Sequence, residues 1–94
     1  DRPFPLRDGV TIIGRADDAD VQLLIPSVSR HHARIVVRGA GATIEDLDSR
    51  HGSWCGAERV RGTTRLTSGD EIRLGTALLV YRFVRATDTT DATA

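Results

Sequence analysis

No stretch of eleven residues in this chain sustains a helical repeat of apolar side chains. The apolar residues fall instead into short runs, each closed by Gly, Pro, Asp or Ser. That punctuation excludes a helical bundle and points to a sandwich or barrel of short strands. Phe4, Leu6 and then VTIIG (10–14) read as strands separated by the turn signal Asp8-Gly9. VQLLI (21–25) is a further strand, stopped by Pro26. HARIVVR (32–38) alternates, with Ala33, Ile35 and Val37 on one face and His32, Arg34, Val36 and Arg38 on the other. ATIEDL (42–47) alternates again after the GAG turn. SWC (53–55), ERV (58–60), TRL (64–66), EIRL (71–74) and ALLVYRFV (77–84) complete the series. The expected fold is all-β: a two-sheet antiparallel β-sandwich of about ten to eleven short strands over residues 1–85. The remaining ATDTTDATA (86–94) is polar and lacks aromatics, so it reads as a flexible tail or linker.

Charge and composition narrow the function. The formal net charge is zero over 94 residues, so the domain as a whole attracts neither nucleic acid nor an anionic membrane. A nucleic-acid interface also lacks its aromatic interleaving here. No apolar run approaches the length of a membrane span. The single cysteine, Cys55, excludes an internal disulfide and fits the reducing cytoplasm. The chain has no methionine, and every basic residue is arginine. With abundant Ala and Gly, this reads as a piece of a longer protein from a GC-rich, bacterial genome.

Any site must therefore come from local clustering. Three polar loops, 14–20, 26–31 and 48–52, each carry one arginine: Arg15, Arg30 and Arg50. Each arginine lies near a small hydrogen-bonding or turn residue: Gly14, Ser29, and Ser49 with Gly52. Sandwich loops gather at the two ends of the fold. If these three meet, guanidinium forks, a hydroxyl and loop amides surround one point. That set suits an oxyanion, phosphate above all, because the arginine fork matches its oxygens two at a time.

IIGR (12–15), SRHHARI (29–35), DLDSRHGSW (46–54) and GDEIRLG (69–75) together resemble the signature stretches of the forkhead-associated (FHA) domain. The resemblance runs from about residue 4 to residue 85. It implies a phosphothreonine-binding β-sandwich with no catalytic activity and no cofactor. By position, it implies that Arg15, after Gly14, clamps the phosphate. Ser29 donates its hydroxyl to a phosphate oxygen, and Arg30 reaches the phosphate or the peptide. Arg50 contacts the phosphothreonine. His32 braces the loops, and Gly52 is the glycine of the family's Asn-Gly turn. Two positions depart from the family: His51 and Gly56 stand where asparagines usually grip the peptide. An imidazole still donates or accepts a hydrogen bond, so His51 remains a peptide-facing candidate. The implied partner is a phosphothreonine-containing segment of a Ser/Thr kinase substrate, bound by a domain that is a monomer when isolated. No membrane or direct nucleic-acid partner is implied. The alternative is an FHA fold that docks proteins without reading phosphate.

Other chemistries fit less well. Paired His31 and His32 with Cys55 lack the four-ligand spacing of a structural metal site. Ser29 with His32 lacks a nucleophile elbow. Asp46 and Asp48 read as turn caps, His31 as solvent-facing, Trp54 as core or loop packing, and Cys55 as a small buried hydrophobe.

Overall fold

The computed structural model describes residues 2–83. The expected tail at 86–94 lies outside the described residues. Nine strands form two sheets: β1 (Gly9–Gly14), β2 (Val21–Gln22), β3 (Ala33–Arg38), β4 (Gly41–Asp46), β5 (Ser53–Cys55), β6 (Glu58–Arg59), β7 (Thr63–Leu66), β8 (Glu71–Leu74) and β9 (Ala77–Val80). One sheet has the order β2-β1-β3-β4-β7, the other β6-β5-β8-β9. The expected sandwich holds, with nine strands among the described residues instead of ten to eleven.

The missing strand is at the start. Phe4 and Leu6 pack against the core but form no strand. Pro3 and Pro5 flank Phe4 and carry no N–H, so the segment cannot donate into a ladder there. With no first strand, Asp8-Gly9 makes a bend and not a hairpin turn. VQLLI also shortens. Only Val21 and Gln22 pair, and they run parallel to β1. The cause is the 15–20 loop, which doubles back until the Asp20 carboxylate accepts the Ile12 N–H at 2.8 Å. The chain then leaves β1's edge through a turn at Pro26-Ser27, closed by the Val28 N–H on the Ile25 carbonyl at 2.9 Å.

The core lies between the sheets and follows the alternation of the strands. Ala33 and Ile35 of β3 point inward beside Ala42 and Ile44 of β4. They meet Ile72 and Leu74 of β8, with Val60 and Tyr81 at the margins. Arg34 takes the opposite face of β3 and pairs with Glu45 on β4, its neighbour in register. The inward residues are mostly aliphatic and small, with Tyr81 and Phe4 the aromatics at the edge of the core. Pairing of β8 with β9 continues past the strand: the Tyr81 N–H donates to Asp70 O, and the Gly69 N–H to Tyr81 O.

Candidate functional site

The three arginine-bearing loops gather at one end of the sandwich, and backbone hydrogen bonds hold them there. Arg15 N–H donates to Ser29 O at 2.9 Å, and Ala16 N–H to Arg30 O at 3.0 Å. This contact is close enough to specify Gly14. A Cβ at Gly14 would overlap the Arg30 carbonyl. Gly14→Ala is therefore expected to push the 29–31 loop off the end of β1. Differential scanning calorimetry should show a destabilisation of about 1–3 kcal/mol, the range of overpacking.

His32 braces the second and third loops. It is fully buried. The Ser29 N–H donates to its Nδ1 at 3.0 Å, so that nitrogen carries no proton. Nε2 is then the protonated nitrogen and donates to the Gly52 carbonyl at 2.8 Å. One ring thus fixes the tautomer and ties residue 29 to residue 52.

The 46–52 loop has its own clasp. The Asp46 carboxylate accepts the hydroxyls of Ser49 and Ser53, each at 2.5 Å, and the Ser49 N–H at 2.9 Å. The Ser49 hydroxyl in turn accepts the Gly52 N–H. Burial pushes the Asp46 carboxyl up, but the hydrogen bonds from Ser49 and Ser53 outweigh it and hold the group below its ordinary value. A depressed carboxyl contributes stability that is complete above its unfolded pKa and lost as pH falls through the folded one. The loop is expected to lose stability only below about pH 4, near the unfolded value for Asp. Acid denaturation monitored by Trp54 fluorescence should show this limb in wild type and flatten it in Asp46→Asn.

Within this frame, a shallow depression of about 110 Å³ is lined by Arg15, Pro26, Ser27, Val28, Ser29, Arg50 and His51. None of its lining residues is acidic. Arg15 uses only Nε, donating to Val28 O at 2.9 Å, which leaves the four N–H donors of its two Nη atoms unspent among the described residues. Asp17, Asp18 and Asp20 do not pair with it. The Ser29 hydroxyl accepts the Arg50 N–H at 3.0 Å, so its own proton is free to donate. Arg50 and His51 are exposed.

The structure thus brings together Arg15, Ser29, Arg50 and His51, supported by Gly14, His32 and Gly52. Arg30 is exposed and does not line the depression. Its part in the frame is the carbonyl that receives Ala16. His31 is exposed as expected, yet it is also engaged: Nε2 lies 2.8 Å from an Asp18 carboxylate oxygen. That hydrogen bond holds the Asp18 carboxyl below its usual range. The pair links the first two loops across the rim.

Ser49 stands beside Arg50 as the sequence placed it and Asp46 caps this turn, whereas nothing in the sequence marks Ser53 as part of the clasp. Pro26, Ser27 and Val28 also went unnoticed as walls. Their only sequence signal was the proline stop before Ser29. Gly56, with a φ of +61°, offers only backbone on the next turn. Cys55 is half-buried and not fully enclosed. Burial, with Asp70 beside it, pushes its thiol up.

The FHA domain family model matches residues 11–75. The transcriptional regulatory protein EmbR of Mycobacterium tuberculosis is 44% identical over 73 residues, covering 78% of this chain. The chain spans 19% of that regulator's length. A structure of M. tuberculosis EmbR in complex with a low affinity phosphopeptide superposes with a TM-score of 0.76 at 36% identity, covering 90% of this chain and 23% of that one. A structure from the analysis of phosphothreonine-dependent FHA domain interactions gives a TM-score of 0.85 at 37% identity, covering 89% of this chain and 86% of that one.

Proposed function

This chain belongs to the FHA domain family, and on that premise we propose that it reads phosphothreonine on a partner protein. The observation that carries this reading is the depression itself. Two arginines and a serine hydroxyl with unspent donors converge there, with no carboxylate to neutralise them. Phosphorylation adds nearly two negative charges and three acceptor oxygens to a threonine, which is what such a site selects.

In this reading Arg15 forks two phosphate oxygens and the Ser29 hydroxyl donates to another. Arg50 adds charge from the facing loop, and His51 meets the phosphate or the adjoining peptide. Arg30 serves at the rim, on peptide residues outside the depression. His32, Gly14 and Gly52 keep the donors in place. FHA domains are binding modules, and the reading is of binding without turnover. On this reading residues 1–85 make up the reading module, and the polar 86–94 segment, a tail or linker by its composition, plays no part in the site. The mycobacterial relatives and the phosphopeptide complex support a bacterial regulator that binds a phosphorylated segment; a cytoplasmic setting and a Ser/Thr kinase substrate as partner are part of the proposal.

Charge-assisted hydrogen bonds contribute roughly 1.5–3 kcal/mol each. A micromolar complex amounts to about 8 kcal/mol. Phosphate contacts therefore supply most of the affinity. Titration against a degenerate phosphothreonine peptide library and its unphosphorylated twin tests the reading. Binding confined to the phosphorylated library is expected. Equal binding to both would favour a docking module that does not read phosphate, in keeping with the changed positions His51 and Gly56.

A further inference from the structure

Trp54 lies between Arg59 of β6 and Arg73 of β8, its register partners on either side in the second sheet. The Arg59 guanidinium carbon is 5.2 Å from the indole centroid and that of Arg73 is 4.3 Å, both over the ring. A guanidinium laid over an aromatic ring keeps its N–H donors in plane and directed outward, with little freedom left to lose. Neither arginine has an ion-pair partner among the described residues. Glu58 alternates to the other side of its strand, and Glu71 shares the outer face two residues from Arg73 without reaching it.

The stack abuts the phosphate depression. A Cβ at Gly52 would come within 2.9 Å of Trp54 Cη2 and 3.0 Å of Arg59 Nη2. Gly52 directly follows His51 of the depression and carries the carbonyl held by His32. Its φ of +85° lets the loop press onto the indole without a side chain between. Cationic groups therefore run from Arg15 and Arg50 over Gly52 to Arg59 and on to Arg73.

We propose that Arg59 and Arg73, pre-set on Trp54, form a second anion subsite that takes an acidic side chain of the same bound segment, flanking its phosphothreonine. The subsite rests on the phosphothreonine reading above. Its chemistry is a carboxylate held by a guanidinium fork, and a second phosphate on the segment would satisfy the same donors.

The test uses one phosphothreonine peptide with neutral flanks and a series in which Asp is moved through each flanking position. Fluorescence anisotropy gives the affinities, and emission of Trp54, the only tryptophan, reports on the stack. At one or two positions Asp should tighten binding roughly three- to tenfold and shift the Trp54 emission. A phosphoserine at the same position separates the second source and should tighten binding further. In Arg59→Gln and Arg73→Gln the gain from Asp should vanish, while the neutral phosphopeptide binds as in wild type. Two results overturn the subsite alone: no position at which Asp helps, or a gain that survives both substitutions. Failure of wild type to bind the neutral phosphopeptide overturns the underlying reading as well. If Arg73→Gln unfolds the domain, Arg59→Gln on the two-residue β6 at the sheet edge decides the matter.

Discussion

Arg15→Ala lowers affinity for a phosphothreonine peptide by at least about a hundredfold. The Nη donors of Arg15 have no other partner among the described residues, so the substitution removes the only fork that the first loop aims into the depression. Two charge-assisted hydrogen bonds at roughly 1.5–3 kcal/mol each make about 3–6 kcal/mol, or two to four decades in affinity. Arg15→Lys keeps the charge and loses the fork, so it should fall between wild type and alanine. The fold should survive both, because the side chain is only half-buried and the loop is held by the backbone bonds to Ser29 and Arg30. Isothermal titration with matched circular dichroism separates these effects. Arg15→Ala at wild-type affinity would remove Arg15 from the site.

His32→Ala should be the most damaging substitution for stability. It opens a cavity where a fully buried ring stood. It also leaves the Ser29 N–H and the Gly52 carbonyl without partners. An unsatisfied buried group costs about 1–3 kcal/mol, and the lost packing adds to it. A total near 3 kcal/mol would lower Tm by roughly 12–24 °C for a domain of this size. Because His32 does not itself line the depression but holds Ser29, which does, its effect on binding is indirect. The Ser29 hydroxyl and the Arg50 amide would lose their fixed separation, and phosphopeptide affinity should fall even at temperatures where the variant is folded. Thermal melts with and without phosphopeptide read both effects. A variant with wild-type Tm would contradict the brace.

The alternating strands were readable because their inward and outward residues differ in kind. Ala33 and Ile35 against Arg34 is such a case. The first segment misled because Phe4 and Leu6 have strand-like spacing, while the prolines beside them carry the opposing information. The parallel pairing of β1 and β2 was hidden, since it depends on Asp20 folding back to Ile12 through a loop with no periodicity. At the site, the family signature supplied Arg15, Ser29 and His32, and the structure adds what each one holds. Arg30 matched the signature equally well yet stands apart from the depression, because adjacent residues on an extended loop diverge. Trp54 looked like ordinary packing. Its two arginines come from different strands, and only the register brings Arg59 and Arg73 to one ring.

The most direct measurement is an amide and arginine side-chain NMR titration of the ¹⁵N-labelled domain with a phosphothreonine peptide and its unphosphorylated twin. The phosphorylated peptide should shift Arg15, Ser29, Arg50 and His51 most strongly, including the Arg15 Nε–H now donated to Val28. The unphosphorylated twin should leave them in place. Shifts confined to other faces of the sandwich, or the same shifts from both peptides, would contradict a phosphate-reading site at this end of the fold.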